Sequence, residues 1–404
     1  MLVTLFGVTI LVFPPRYLCA ATSSDGKTTL NTLIKEADTA NQEYLTSGFK
    51  AQQYDSRVGL AKDLDDSLLA YYYLGFPARI LREEAPPAKE GDKTPRAVVD
   101  TVRGRALFER STFMVKSMAE DRATWYRAVS DDLHLQIIKR VKEDFFQLYF
   151  QDQIIAATKQ TLAHLDHLLG VSRDRYAVGK LGQTDVLEVQ NEKSLTYLRL
   201  LDLEQKRLAL ASDLNYLAGR NPAAPLQPIS GKDLSHSGIG DLDHTAAELT
   251  AFMRQNRPLV KGYRALVDTF GIMRLMIPMY YNMAVRRDGT LEVDSGTRAV
   301  KAEMADFQDK VSAELVTEYG QSKKTLEVAK LYGDVLIPQA RQLVAASQAD
   351  FEVGKVDLRR PLQALITLDR YQADYFQALA DHQISLARLE AASAMPLSKK
   401  EEKN

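Results

Sequence analysis

Cysteine is almost missing from this chain. Cys19 is the only one in 404 residues, so no intrachain disulfide holds the fold together. Net charge is missing too: 52 basic residues stand against 53 acidic ones, which argues against a polyanion-binding surface and so against nucleic acid as a partner. Past the amino-terminal thirteen residues no apolar run approaches the ~18–20 residues of a transmembrane helix, so entry into a membrane would have to be made by strands. There is no phosphate-binding glycine loop, no Gly-x-Ser-x-Gly elbow and no cysteine nucleophile. No enzyme activity and no cofactor are expected. Histidines are few and scattered: His134, His236, His244 and His382 stand singly. Only His164 and His167, with Asp166 between them, share a helix face; they are either solvated side chains or two ligands of a weak metal site with no third ligand at useful spacing.

What is present begins with "MLVTLFGVTILVF", followed by "CAATSS", in which Cys19 and Ala21 occupy small-residue cleavage positions. This predicts an export signal over 1–21, although Pro14, Pro15 and Arg16 interrupt it and no basic residue precedes it. Leu18 before Cys19 is wrong for a lipoprotein acceptor.

The chain then repeats itself. "YAVGKLGQTDVL" at 176–187 returns 175 positions later as "FEVGKVDLRRPL": Tyr176 matches Phe351, Gly179 and Lys180 match Gly354 and Lys355, and Leu214 matches Leu389. A second register pairs "EADTANQEYL" (36–45) with "AFMRQNRPLV" (251–260), setting Asn41 against Asn256 at an offset of 215. The difference between 215 and 175 means that the second copy has lost about 40 residues between its opening helix and its Gly-Lys corner. The Pro/Gly/Ser-rich stretch 219–245 reads as a linker.

Both copies are helical for most of their length. From Thr112 to Val178 no proline occurs and Ile138, Val141, Phe145 and Leu148 recur at helical spacing, giving a rod roughly 100 Å long. The return helix, 183–217, places Val189, Leu203, Leu210 and Leu217 on one heptad position, with Leu200 and Leu214 four residues on. Leu187, Leu201 and Leu208 form a second stripe, so this helix wants neighbours on two sides. In the second rod, 297–353, Pro338 predicts a kink. A long coiled-coil stalk also fits this periodicity.

Between opening helix and rod the texture changes. "SLLAYYYLGFPARIL", a turn-rich loop and "RAVVDTVRGRALF" predict a β-hairpin at about 67–108, with Tyr71 and Tyr73 on one face. In the second copy Met279, Tyr281, Met283 and Val285 alternate with polar residues and Asp288-Gly289 offers a tight turn, which predicts a shorter hairpin over 277–294. An apolar face flanked by tyrosines is what an outer-membrane strand shows. A small soluble cap hairpin would show it as well.

The order helix, hairpin, very long helix, Gly turn, shorter helix, given twice, resembles the TolC family of outer-membrane efflux and secretion channels over essentially the whole mature chain. "RYAVGKLGQTDVLEVQNEKSLTYLRLLDLEQKRLALASDLNYLAG" is similar to that family's first tip motif. "LIPQARQLVAASQADFEVGKVDL", "YFQALADHQISLARLE" and "LLAYYYLGFPARI" resemble its heavy-metal-efflux branch. The resemblance implies a mainly α chain of tandem-duplicated antiparallel helices forming an α-barrel protomer, with short hairpins entering a shared trimeric outer-membrane β-barrel. It divides the chain into a first repeat, 22–218, with its tip at 176–186; the linker; a second repeat, 246–394, with its tip at 351–361; and a charged tail, 395–404. It further implies a homotrimer in the outer membrane with a periplasmic helical part, a periplasmic adaptor protein, an inner-membrane transporter and surrounding lipid. Val178, Gly179 and Lys180 with Val353, Gly354 and Lys355 would then be the adaptor-docking tips, although capped helical turns alone also account for them.

Beyond the second corner the chain departs from the family. Where many members carry aspartates around the periplasmic aperture, this chain reads "LRRPLQAL". Together with Asp185 the aperture residues would be Arg359, Arg360 and Gln363. A ring of arginines would favour anions; arginines turned to solvent or to acidic neighbours would not. Two readings remain: an exit duct of a tripartite efflux or type I secretion system, or a barrel-poor periplasmic scaffold that forms no pore. The transported substrate and the driving pump are not encoded here.

Overall fold

The computed structural model describes residues 26–60, 102–231, 233–238, 242–280 and 286–397. Its helices are α1 (Leu30–Ala40), α2 (Gln42–Leu60), α3 (Val102–Ala177) and α4 (Gln183–Leu217) in the first copy. The second copy holds α5 (Ala246–Asn256), α6 (Pro258–Tyr280), α7 (Arg286–Leu331), a π-turn over Tyr332–Leu336, α8 (Ile337–Glu352) and α9 (Arg359–Ser393). Among the described residues the only strands are β1 (Lys27–Thr29) and β2 (Gln227–Ile229), a parallel pair in which Thr28 stands opposite Pro228. The stretch expected to be a plain linker therefore contributes a strand, and it does more: Leu226 and Leu234 are buried, so this segment crosses the rods as a belt.

Proline-free α3 is the spine. Its 76 residues span about 114 Å at 1.5 Å each. One half of it packs against α2 and α6, the other against α4 and α9, while α7 lies against α6 and α9. The apolar sides close in separate clusters along the length. Leu33, Ile137, Val141, Phe145 and Leu214 form one; Leu249, Met253, Val311, Leu315 and Leu389 form its counterpart in the second copy.

Pairing these clusters corrects the internal register. Thr29 and Thr245 both cap a helix, accepting from the N–H three residues on at 3.4 and 3.3 Å. Leu33 corresponds to Leu249 and the helix-ending Asn41 to Arg257, an offset of 216 rather than 215. The asparagine identity at 256 had drawn the match one residue off. The bonds agree: Asn41 Nδ2 donates to Leu217 O at 3.0 Å, and Arg257 Nη1 donates to Ala392 O at 3.1 Å, each tying a long helix's end to the same bend.

A second discrepancy explains Pro338. Ile137 and Val141 correspond to Val311 and Leu315, an offset of 174, whereas Leu169 and Tyr176 correspond to Val344 and Phe351, an offset of 175. One extra residue has entered the second rod, and the π-turn absorbs it, with Ile337 N–H donating to Tyr332 O five residues back. Widening the turn also removes the clash that a proline ring makes with the carbonyl four residues before it, so the expected kink appears as this bulge.

The strands expected at 102–108 and at 277–294 are not formed where the structure describes them. Val102–Phe108 open α3, Ile277–Tyr280 with Met279 close α6, and Arg286–Asp294 open α7. Tyr71, Tyr73, Tyr281, Met283 and Val285, like the rest of 67–101 and the signal at 1–21, lie outside the described residues. Asp288-Gly289 is no hairpin turn: Asp288 sits in the first turn of α7, where the helix dipole favours an acid. The helix pair α6–α7 is closely fitted, since a Cβ on Gly296 would stand 2.4 Å from the Phe270 ring, and Arg274 pairs with Asp294 across it. Alternation over so few residues could not outweigh those contacts. In the tail, Met395 and Leu397 pack on the second copy's core, and Leu397 N–H donates to Glu390 Oε1 at 3.0 Å.

Candidate functional site: the paired tips

Each long helix must reverse at its far end, and both do so by the same device. Lys180 N–H donates to Arg175 O at 2.9 Å and Gly179 N–H to Tyr176 O at 3.0 Å. In the second copy Lys355 N–H donates to Asp350 O at 2.8 Å and Gly354 N–H to Phe351 O at 2.9 Å. This is the Schellman closure, which needs a left-handed residue after the helix; Gly179 and Gly354 supply it at φ +68° and +81°.

The two corners lie together at one end of the molecule. Arg175 reaches from the first to the second, donating to Phe351 O and stacking its guanidinium 4.7 Å over the Phe351 ring. Beneath them a single core joins all four rods: Leu165 and Leu168 of α3, Val189 of α4, Val344 and Phe351 of α8, Leu362 and Leu365 of α9. Phe351 is 1 % exposed, whereas its counterpart Tyr176 is 48 % exposed. Val178 and Val353 are 66 % and 68 % exposed, so neither valine is there to fill the core.

Charges around the tips are mostly engaged. Asp185 accepts from Gly182 N–H at 3.2 Å, closing the start of α4. Lys355 lies 3.9 Å from Asp350, and Arg359, 82 % exposed, lies 3.7 Å from Glu188 of α4. Arg359, Arg360 and Gln363 line an open groove of about 650 Å³ between α8 and α9, with Leu343, Ser347, Asp350, Ala364 and Thr367. Of the two arginines, Arg359 has Glu188 as its acidic neighbour, and no ion pair of Arg360 is formed among the described residues. Just above the core, buried Asp369 joins three rods, accepting from Thr161 Oγ1 at 3.2 Å and pairing with Arg199. His164 and His167 are exposed, and Asp166 between them pairs with Lys193. Among the described residues no three His, Cys, Asp or Glu side chains gather as a metal site.

Sequence reading missed Arg175 and Asp369. The offset of 175 would have set Arg175 opposite Asp350, a reversed charge at otherwise matching corners, and that is the signal that was available.

The rods also present two unpartnered edges. On α4 the stripe expected to need a second neighbour, Leu187, Leu201 and Leu208, is exposed, and Leu198 beside it is exposed too; on the far side Leu331, Val335 and Leu343 of α7, the π-turn and α8 are exposed. No helix among the described residues is long and apolar enough to cross a membrane.

Antiparallel rods of this length, doubled within one chain and ending in paired corners, are found in solved structures. VceC of Vibrio cholerae, an outer membrane protein, superposes with a TM-score of 0.68 at 12 % identity over 91 % of this chain and 97 % of its own. This is the fold of outer-membrane efflux channels. The CmeC outer membrane channel of Campylobacter jejuni matches with a TM-score of 0.66 at 9 % identity, over 92 % of this chain and 87 % of that one. The open state of the Neisseria gonorrhoeae MtrE outer membrane channel matches at 0.65 with 12 % identity, over 93 % and 91 %. No family model and no curated protein matches the sequence, so the likeness to these channels is one of backbone. The channel fold agrees with the TolC-type resemblance and, among the described residues, is carried by its helices.

Proposed function

We propose that three copies of this chain stand side by side as a hollow cylinder and serve as the passive outer-membrane exit duct of an efflux or secretion machine. In this reading the rods cross the periplasm, and the corners at Val178–Lys180 and Val353–Lys355 receive a periplasmic adaptor protein. An inner-membrane transporter supplies the energy, and Asp185, Arg359, Arg360 and Gln363 lie about the periplasmic aperture. The observation that carries it is the pair of leucine-bearing edges on opposite sides of a layer whose two corners point the same way. Two such edges close into a ring when each subunit's α4 meets the next subunit's α7–α8 edge. Nothing catalytic is required of a conduit, whose work is done by shape and lining.

A second reading rests on a particular length. Helices α6 and α7 leave only 281–285 between them, whereas a membrane strand takes ~9–11 residues. The second copy therefore has no room for a spanning hairpin, which favours a periplasmic scaffold that does not pierce the membrane. Fractionation and planar-bilayer recording of the purified full-length protein separate the two. Recovery in the outer membrane with stepwise conductance supports the duct; a soluble periplasmic protein without conductance overturns it in favour of the scaffold.

A further inference from the structure

Because the chain is duplicated, a contact in one copy has a natural control at the matching place in the other. Val141 with Leu315 sets the frame of the rods, and Leu214 with Leu389 that of the returning helices, so Asp144 corresponds to Glu318 and Asp213 to Arg388. In the second copy these places form an ion pair between α7 and α9, with Arg388 Nη1 donating to Glu318 Oε1 at 3.1 Å. In the first copy the same two places, on α3 and α4, both hold carboxyls. Asp144, like Glu318, is half-buried, but what it meets is a second acid instead of a guanidinium.

The neighbouring charges are taken up elsewhere. Arg140, one turn back on α3, is held by Glu43 of α2 at 3.3 Å; Lys142 pairs with Glu390 of α9; Glu143 accepts from Arg388 Nε at 2.6 Å. On α1, Glu36 accepts from Arg220 Nε at 2.6 Å and Asp38 lies 2.7 Å from His134 Nε2. Among the described residues neither Asp144 nor Asp213 forms an ion pair. Burial, reinforced by Asp213 and Glu143 and opposed by Arg140, pushes the Asp144 carboxyl up to about 7.

We propose that the facing carboxyls of Asp144 and Asp213 make the end of the α3–α4 seam a proton-operated latch, shut while the pair holds a proton and loosened when both are ionised. The latch sits where Leu214 and Leu217 pack on Val141 and Phe145, and where Asn215 Nδ2 holds the root of the belt by donating to Ala224 O at 2.8 Å. Opening returns Asp144 to water and to an ordinary carboxylate value near ~4, so closing takes up a proton between about 4 and about 7 and becomes less favourable as pH rises through that window. The α7–α9 seam, closed by opposite charges, has no such proton to lose. The response is therefore confined to one of two otherwise matching helix ends, and it belongs to the single chain whether or not copies close into a ring.

Amide hydrogen exchange on the full-length protein tests this at about pH 5 and about pH 8, with residues 207–217 of α4 read as a ratio to the matching 382–392 of α9. The ratio cancels the pH dependence of exchange chemistry itself. In the wild type it rises about tenfold from the lower to the higher pH. Asp213→Arg gives the first copy the charges of the second and holds the ratio constant, with α4 protected throughout. Asp144→Asn, which keeps the shape and removes the titrating group, also holds it constant. A wild-type ratio that does not move with pH overturns the proposal, as does a rise that survives either substitution. A rise abolished by Asp144→Asn but not by Asp213→Arg would assign the response to burial alone and likewise remove the paired latch.

Discussion

If the π-turn at 332–336 is the mark of one inserted residue, then one residue can be taken out again there and nowhere else along the rod. Consider deleting Val335. The residues on either side keep their angular positions, because the bulge closes to a regular α-turn without rotating α7 against α8. Leu315 and Leu326 above, and Val344 and Phe351 below, all stay buried. The loss is confined to the proline, whose ring now meets the carbonyl four residues back at a cost of about 3 kcal/mol. Adding Pro338→Ala removes that cost, so the double variant returns to near the wild-type stability. Deleting Ala313 instead, an exposed residue of α7, turns one part of the rod by about 100° against the other. Leu315, Leu326 or their neighbours then leave the core at about 1.5–3 kcal/mol each. Two leucines alone cost about 3–6 kcal/mol, comparable with the ~5–15 kcal/mol that holds a domain folded. Urea unfolding followed by circular dichroism measures both. The register argument is refuted if the Val335 deletion with Pro338→Ala is as damaging as the Ala313 deletion.

Further outcomes follow from single contacts. Ala394, the counterpart of Gly219 at an offset of 175, is the only described non-glycine with positive φ, at 56°; Ala394→Gly should stabilise by about 0.5–1 kcal/mol, seen as a raised unfolding midpoint. Gly219→Ala should destabilise beyond its left-handed strain, since the new Cβ would stand 2.5 Å from the Ala40 Cβ. Arg257 is buried, donates to Asp132 Oδ1 at 2.8 Å and packs over Phe307; Arg257→Met leaves Asp132 an uncompensated buried charge and costs about 3–5 kcal/mol, most of which Asp132→Asn in the same chain restores. Burial, reinforced by Asp213 and Glu143, pushes the Asp144 carboxyl up to about 7. The folded chain therefore holds a proton that the unfolded chain has released, so stability falls as pH climbs from about 4 to about 7 and levels off above; in Asp144→Asn this part of the slope disappears.

How much of this was visible in the letters depends on how local each cause is. The corners were legible because a Schellman closure demands glycine, and Gly179 and Gly354 announce themselves with the same lysine after each. The rods were legible because nothing breaks a proline-free run such as 112–178. The π-turn was not, because one inserted residue shifts an offset from 174 to 175 and sparse identities cannot tell the two apart; only buried positions such as Val141 and Leu315, paired in space, reveal it. The hairpin expected at 277–294 failed for the opposite reason. Alternation is a weak local signal, and the fit of Phe270 over Gly296 is a contact between two helices that no window of sequence contains.

Duplication explains why the two copies differ at particular positions where they meet. Two identical tips side by side would bring equal side chains, and equal charges, to one junction. The chain has instead diverged at that junction: Arg175 against Asp350, and an exposed Tyr176 against a buried Phe351. The result is a guanidinium from the first copy laid on the ring of the second. The bend near the other end shows the same logic, with Asn41 sufficing in the first copy and Arg257 in the second reaching back to Asp132 of the first copy's rod. Each substitution gives up a symmetric contact for a cross-copy one. Arg175→Ala should therefore loosen the second corner more than the first, because Phe351 loses its cover while Tyr176 had none. Hydrogen exchange supplies the readout: faster exchange at Gly354 and Lys355 with Gly179 and Lys180 unchanged is expected, and equal acceleration at both corners would mean that Arg175 holds the tip as a whole.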